Sequence, residues 1–148
     1  MKCSILINNY NYSKFVRECL ESAVAQTYGD LEIIIVDDGS TDDSKEVISA
    51  IAEASPRPIK TIFKENGGQG SAMNEGYANC SGEIVFFLDA DDFLAPDCVE
   101  RVVGIWNCNM SRVYFNLQFV DEDSEHIAGV FQDSVQMPRG DLREKAAT

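Results

Sequence analysis

Four short apolar runs, each followed by a stretch of helical periodicity, organise the first two-thirds of this sequence. The run at residues 31–36 is rich in β-branched residues, which is typical of a strand covered on both faces in a parallel sheet. Successive βα units are joined by right-handed crossovers, so four in a row predict an α/β three-layer sandwich with a mainly parallel, Rossmann-like sheet. The predicted strands are residues 4–7, 31–36, 59–63 and 84–88.

Turn and capping residues separate these elements. The first helix is predicted to begin near Ser13, and the second after the acidic stretch at residues 40–43. A glycine-rich turn at residues 66–70 leads into the third helix, and Pro96 lies near the first turn of the fourth. Two later strands, at residues 113–120 and 127–131, flank an acidic turn.

The apolar pattern ends at Gln132, after which the sequence is polar. One domain is therefore predicted over residues 1–131, followed by a polar tail at residues 132–148. Because the tail is too short to bury a core of its own, we expect the sequence to be part of a longer protein.

Net charge narrows the classes of partner. With 12 basic and 25 acidic residues the chain carries a formal charge of −13, which argues against a nucleic-acid partner. No apolar run approaches the roughly 20 residues of a membrane span, and the first residues lack the pattern of a signal peptide. A cytoplasmic protein is predicted, either free or peripheral at the inner face of a membrane.

Cysteine and histidine usage argues against a zinc or disulfide framework. The five cysteines include no C-x-x-C pair, and Cys19 falls on the apolar face of a predicted helix. We interpret Cys3, Cys19, Cys80, Cys98 and Cys108 as packed, reduced thiols in a reducing compartment. His126 has no cysteine nearby and is predicted to be a turn residue.

Polar and acidic residues follow three of the four strands, at residues 8–11, 37–38 and 89–92. The carboxyl ends of parallel strands share one edge of the sheet, where open α/β sheets bind ligands. Two carboxylates about 6 Å apart repel by roughly 3 kcal/mol at an effective dielectric of about 20, so a cation or proton is needed between them. Oxygen ligands without histidine or cysteine favour Mg²⁺ or Mn²⁺.

The acidic motif at the end of the fourth strand is the candidate metal site. Asp89 and Asp91 are two residues apart, so an extended backbone would direct both side chains the same way. The alternative is a solvated acidic loop. An EF-hand is excluded because Phe93 and Leu94 occupy positions that require an oxygen ligand and a glycine.

Simpler structural explanations compete at the other two polar segments. Ser40 and Asp43 are predicted to cap the second helix, which leaves Asp38 free to accept two N–H groups from a planar base. The turn at residues 67–70 lacks the G-K-[ST] ending of a P-loop, so it is interpreted as a flexible helix entry.

Together these segments resemble family 2 glycosyltransferases of the GT-A fold, over about residues 4–103. The resemblance implies sugar transfer from a nucleotide-diphospho-sugar, usually a UDP-sugar, with Mg²⁺ or Mn²⁺ on the diphosphate. It makes residues 1–131 the donor-binding half and places the acceptor half and the catalytic base beyond Thr148. The matching segments are residues 4–11, 36–42, 66–76 and 88–92.

Individual site residues follow from the same resemblance. Tyr10 corresponds to the ring beside the base, Asn8 to a contact there, and Asp38 to the carboxylate that reads the uracil N–H. Asp89 corresponds to the acid on the ribose and metal side, and Asp91 to the direct metal ligand of the D-x-D motif. The sequence departs from the family by having Asn8-Asn9 where Pro-Thr is usual and Met73 where arginine is common.

Two other classes of protein are alternatives on the same residues. A receiver-type signalling module is also an acidic α/β domain that binds metal through aspartates, but its acidic pair follows the first strand and it has a late lysine. Here the acidic pairs follow the second and fourth strands, and no lysine lies between Lys64 and Lys145. A sugar-nucleotide pyrophosphorylase needs a glycine-rich loop with arginine after the first strand, and residues 8–11 are not one.

Overall fold

A computed structural model describes residues 1–107, 109–113, 117–121 and 126–131, with backbone only for 117–119 and 126–131. The chain divides into two compact units, Met1–Ile105 and Trp106–Thr148. The predicted domain boundary at residue 131 remains a prediction, because residues 132–148 lie outside the described ranges. The elements are β1 Cys3–Asn9, α1 Val16–Val24, β2 Leu31–Asp37, α2 Ser44–Ala54, β3 Ile59–Phe63, α3 Gln69–Ala78, β4 Ile84–Asp89, α4 Cys98–Ile105, β5 Leu117–Val120 and β6 His126–Phe131.

The first unit is built on a four-stranded sheet in which every pairing is parallel. Its strand order is β3-β2-β1-β4. The register pairs Asn8 of β1 with Val36 of β2 and with Asp89 of β4, so these strands end at the same level. The predicted parallel α/β fold is confirmed.

Alternation along the strands places helices on both faces of the sheet. One face presents Leu6, Ile34 and Val36, which form a buried cluster with Ala72 of α3. The alternate residues of β1 and β2 therefore point to the opposite face, where they are also buried. Helices α1 and α2 pack against each other, and each has a buried apolar stripe. Three layers result.

Two local predictions need correction, and a third lies partly outside the described residues. Helix α1 begins at Val16 rather than near Ser13, because Asn11 has a left-handed φ of 60° and residues 13–15 form turns. His126 is the first residue of β6, where it pairs with Val120, and does not lie in the turn. The strand predicted from residue 113 is described only from Leu117.

The thiols behave as packed side chains. Cys3, Cys19, Cys80 and Cys98 are free, whereas Cys108 lies outside the described residues. Burial raises the pKa of each of these four thiols, which keeps them protonated near neutral pH. The reducing compartment itself stays a prediction. Within the described ranges, none of the helices has the length and apolar character needed to cross a bilayer.

A partly exposed polar network closes the amino-terminal edge of the sheet around Glu32. Its carboxylate accepts hydrogen bonds from Ser4 Oγ (2.6 Å) and from Ser81 N and Oγ (2.5 and 2.8 Å), and it pairs with Lys2 Nζ at 2.6 Å. Burial alone raises the pKa of Glu32, but these hydrogen bonds outweigh it and lower the pKa from 4.5 to about 2.

Glu32→Gln is therefore expected to destabilise the fold in a pH-dependent way. Because the folded pKa is depressed, the stabilisation is complete above pH 4.5 and is lost as the pH falls towards 2. We expect a loss of roughly 2 kcal/mol at pH 7, discounted because the side chain is partly exposed. Urea unfolding at pH 7 and pH 3 should show the difference between the two proteins shrinking at pH 3. Glu21→Gln, in an exposed pair with Arg17, is the control and should show no such trend.

Candidate functional site

A cavity of about 390 Å³ lies at the carboxyl ends of the strands of the first unit. Strand β1 lies between β2 and β4. The strand order therefore reverses at β1, and ligands of open α/β sheets bind where the strand order reverses. All five predicted site residues line this cavity. Its lining is Asn8, Asn9, Tyr10, Tyr12, Asp38, Asn66, Gly68, Gln69, Ala72, Asp89, Ala90 and Asp91.

One wall of the cavity is fixed by hydrogen bonds between the loops that follow β1 and β2. Asn9 is buried, and its Nδ2 donates to Asp37 Oδ2 at 2.7 Å and to Ser40 Oγ at 3.2 Å. Asn11 N donates to the same Ser40 oxygen at 2.9 Å. Asn11 Oδ1 in turn accepts from Thr41 N at 2.8 Å. The two loops therefore form one unit that carries Tyr10 and Tyr12 at the cavity mouth.

The predicted capping roles of Ser40 and Asp43 are wrong. Ser40 Oγ donates to Asp37 Oδ2 at 2.6 Å, and Asp43, although at the N-cap position of α2, makes no side-chain capping bond. Asp42 instead accepts from Ser44 N at 3.1 Å and from Ser13 N at 2.9 Å. These bonds outweigh the effect of burial and lower the pKa of Asp42 to about 2. The bond from Ser13 N also ties this loop to the turn that precedes α1.

The Asp38 carboxylate holds the glycine-rich loop against the cavity. It accepts hydrogen bonds from Lys64 Nζ at 2.6 Å, Gly67 N at 3.0 Å and Gly68 N at 2.7 Å, and only 3% of the residue is exposed. Burial alone raises the pKa of Asp38, but Lys64 and the two amides outweigh it, so the pKa is lowered. Gly68 has φ of 84°, which favours glycine there. The loop interpreted as flexible is thus tied down at its centre.

Asp38→Asn is expected to release this loop. The substitution removes the charge that pairs with Lys64 and turns an acceptor towards the amides into an N–H₂ donor. We expect a loss of about 2 kcal/mol in the free energy of unfolding, together with faster hydrogen exchange at the Gly67 and Gly68 amides. Asp43→Asn, at an exposed position, should change the unfolding free energy by less than about 0.5 kcal/mol. Unchanged exchange at both glycines would contradict the role assigned to Asp38.

The acidic residues after β4 form a tight turn rather than an extended segment. Asp92 N donates to Asp89 O at 3.0 Å, which places Ala90 and Asp91 at the centre of a turn. The prediction of an extended backbone is therefore wrong, yet Asp89 and Asp91 both line the cavity. The turn achieves this because Ala90 is buried and its neighbours are left on the open side.

Negative charge at this turn is not balanced by basic side chains. Among the ion pairs of the described residues, none includes Asp89, Asp91 or Asp92. Partial burial and the charges of Asp91 and Asp89 raise the pKa of Asp92. No group of three or more His, Cys, Asp or Glu side chains suited to a metal occurs within the part of the chain that the structure describes. The carboxylates of Asp89 and Asp91, which line the cavity, are oxygen donors of the kind that Mg²⁺ and Mn²⁺ take, and they would leave the other coordination positions to further ligands.

Two buried oxygen atoms of residues that line the cavity have no hydrogen-bond partner among the residues that the structure describes. They are Asn8 Oδ1 and Asn9 Oδ1, and both asparagines line the cavity. An unpaired buried acceptor costs about 1–3 kcal/mol, so such atoms point to a missing donor. A ligand with N–H or O–H groups would satisfy them.

Sequence reasoning missed Lys64 and Gln69. Lys64 directly follows β3 and pairs with Asp38, while Gln69 begins α3 and donates from Nε2 to Asp89 Oδ1 at 3.1 Å. The rule that placed Asp38 and Asp89 at the carboxyl edge applies equally to Lys64. Gln69 carried no such signal, because its contact depends on how α3 enters the sheet.

The fold is an α/β fold with a cavity at the carboxyl edge of its parallel sheet, which is where open α/β sheets bind ligands. The family described as Glycosyl transferase family 2 matches residues 4–137, and the chain belongs to this family. An uncharacterized glycosyltransferase of Nostoc sp. (strain PCC 7120) is 43% identical over 140 residues, which is 94% of this chain and 42% of that protein. Chondroitin synthase of Escherichia coli is 39% identical over 127 residues, 84% of this chain and 18% of that protein.

Solved structures agree with the sequence relatives. S. aureus TarS in complex with UDP-GlcNAc matches 70% of this chain and 30% of its own, with a TM-score of 0.64 and 28% identity. The mannosyltransferase PcManGT from Pyrobaculum calidifontis, in complex with GDP-Man and Mn²⁺, matches 69% of this chain and 31% of its own, with a TM-score of 0.66 and 28% identity. The predicted GT-A fold is confirmed, and the receiver-type alternative is not favoured. The chain spans less than half the length of these relatives.

Proposed function

We propose that this chain binds a nucleotide-diphospho-sugar, with a UDP-sugar as the preferred donor, together with Mn²⁺ or Mg²⁺. The bound donor serves inverting glycosyl transfer to a saccharide, lipid or protein acceptor. The observation that carries the proposal is that Asn8, Tyr10, Asp38, Asp89 and Asp91 all line one cavity. Neighbours solved with UDP-GlcNAc and with GDP-Man and Mn²⁺ support this class of ligand.

Each cavity residue has a proposed role that its surroundings support. Tyr10 is 45% exposed at the cavity mouth, so its ring is available to lie against a base. Asn8 Oδ1, which lacks a partner, accepts a hydrogen bond from the nucleoside. Asp38 was predicted to read the base, and three donors of the chain itself already occupy its carboxylate. We propose that it acts on the base side of the cavity chiefly by fixing residues 66–68.

The turn at residues 89–92, called the aspartate turn below, is the proposed cation site. Asp91 is the proposed direct ligand and Asp89 the acid on the ribose and metal side. A divalent cation, when bound, would supply positive charge that stabilises a diphosphate leaving group. The chain itself has a net charge of −13. The residues hold and orient the donor, and Gln69 keeps Asp89 directed into the cavity.

The remainder of the reaction is proposed to depend on the longer protein. The catalytic base and the acceptor site are placed outside residues 1–148, and transfer by this chain alone is not expected. Nucleic acid is not a proposed partner. The cytoplasmic location, free or peripheral at a membrane's inner face, stays a prediction.

Calorimetric titration tests the proposal directly. UDP, GDP, CDP and ADP are each added to the chain with Mn²⁺ and again with excess EDTA. We expect measurable binding of UDP in the presence of Mn²⁺ and binding at least tenfold weaker with EDTA, because the cation removes the repulsion between the diphosphate and the aspartates. Binding that is equal with and without Mn²⁺ would overturn the proposed cation site. Tighter binding of GDP would overturn the choice of UDP.

A further inference from the structure

The segment that follows the aspartate turn is hydrogen-bonded to polar side chains of α1 and of the residues just after α1. Gln26 is the central member and is only 2% exposed. Its Nε2 donates to Ala95 O at 2.8 Å, and its Oε1 accepts from Val99 N at 3.1 Å. A buried amide that is hydrogen-bonded on both sides to one distant segment fixes that segment's backbone.

Two residues of α1 that precede Gln26 make further hydrogen bonds, closer to the aspartate turn. Ser22 Oγ accepts from Leu94 N at 3.1 Å, and the Cys19 thiol donates to Asp89 O at 3.6 Å. Thr27 N donates to Pro96 O at 2.9 Å. Residues 89–99 are therefore held at several points by the first helix and the residues after it, although some 70 residues separate them in sequence.

Hydrogen bonds therefore fix the backbone on both sides of the aspartate turn. At one end Asp89 is paired in the sheet with Asn8 of β1. At the other end the backbone at residues 94–99 is held by Ser22 and Gln26. Asp91 lies between them, so the position of its carboxylate relative to Asp89 depends on where the second end is held.

We propose that Gln26 is a positioning residue that sets the separation of the Asp89 and Asp91 carboxylates and so the fit of the site to a small divalent cation. This inference rests on the proposed function for the identity of the ligand. Mn²⁺ and Mg²⁺ require a closer, more regular set of oxygens than Ca²⁺, which tolerates longer and more variable distances. A loosened turn should therefore lose preference for the smaller ions.

Gln26→Met tests the inference, because methionine fills a similar volume and makes neither the bond to Ala95 O nor the bond from Val99 N. Two measurements are made on the full chain: amide hydrogen exchange at Asp92 by NMR, and UDP affinity with Mn²⁺ and with Ca²⁺. We expect amide exchange at Asp92 to accelerate about tenfold. We also expect the ratio of UDP affinity with Mn²⁺ to UDP affinity with Ca²⁺ to fall about tenfold, which is the lower end of the roughly 10- to 100-fold losses caused by changing residues that orient metal ligands. Ile48→Val, buried in α2, is the control for a general loss of stability and should leave the ratio unchanged.

The outcomes separate this inference from the proposed function. If the native chain binds no UDP with Mn²⁺, the proposed function fails, and exchange at Asp92 still decides whether Gln26 fixes the turn. Unchanged exchange in Gln26→Met overturns the inference. Faster exchange with an unchanged ion ratio also overturns it, because the role is then structural only. If Gln26→Met does not fold, Ser22→Ala is measured in the same way and should give the same changes at smaller size, because it removes the bond to Leu94 N and, within α1, the bond from Ser22 Oγ to Cys19 O.

Discussion

Asp91→Asn should reduce Mn²⁺-dependent UDP affinity about 100-fold while leaving the chain folded. The side chain is exposed at the cavity, so asparagine fits the same space and removes only the charge. A 100-fold loss corresponds to about 2.7 kcal/mol, since each tenfold change in affinity is about 1.4 kcal/mol. The turn itself should not suffer, because the substitution also relieves repulsion on Asp92.

Two comparisons make the result specific for the cation. Asp97→Asn removes an exposed carboxylate from the same segment, where it pairs with Arg101, and should leave UDP affinity within twofold of the native value. In EDTA the Asp91→Asn variant should bind UDP no more weakly than the native chain, because it has lost one of the charges that repel the diphosphate. A variant that keeps native Mn²⁺-dependent affinity would show that Asp91 does not hold the ion.

Gly76→Val is expected to cost the fold about 3 kcal/mol. Gly76 lies in α3 where the helix meets the sheet, and a Cβ built there would stand 2.1 Å from Leu6 Cδ1 and 3.0 Å from Val36 Cγ2. Leu6 and Val36 are fully buried, so neither can move without disturbing the core on which α3 sits. Overpacking of this kind costs 1–3 kcal/mol or more, and the branched side chain takes the upper end of the range. Urea unfolding measures it.

The same helix supplies the matched control. A Cβ at Gly70 would meet nothing within 4 Å, so Gly70→Val should change the unfolding free energy by less than about 0.5 kcal/mol. The double variant Leu6→Ala with Gly76→Val should lose less than the sum of the two single changes, because alanine vacates the space that valine fills. Equal losses at Gly70 and Gly76 would mean that helix propensity, not close packing, governs α3.

Much of the fold could be predicted from the sequence because its information is local. The β-branched run of β2 and the apolar stripe of α2 are set by residues within a few positions of one another, and β3 matches its predicted bounds. The joint location of Asn8, Asp38, Asp89 and Asp91 was also predictable, since parallel strands bring their carboxyl ends to one edge. The roles of these residues in binding a donor remain predictions.

Details of backbone conformation were harder to predict. Ser40 and Asp43 match the residue preferences of helix caps, and preference alone did not reveal that Ser40 bonds to Asp37 and Asn9 instead. The motif at residues 89–91 was expected to be extended, whereas it turns because buried Ala90 takes the inner position. The bond between Ser40 and Asn9 and the burial of Ala90 both depend on tertiary packing, which local residue preference does not record.

The amino-acid sequence by itself determined the order of strands and helices and the edge of the sheet at which acidic residues collect, because alternation and periodicity record which faces are buried. Only the tertiary structure decided which groups hold that edge in shape. The bonds from Asp38 to the glycine-rich loop span 26 to 30 residues, and those from Gln26 to the segment after the aspartate turn span 69 and 73. Such partners leave no periodic trace in the sequence, since their proximity arises only when the sheet and its helices have packed together.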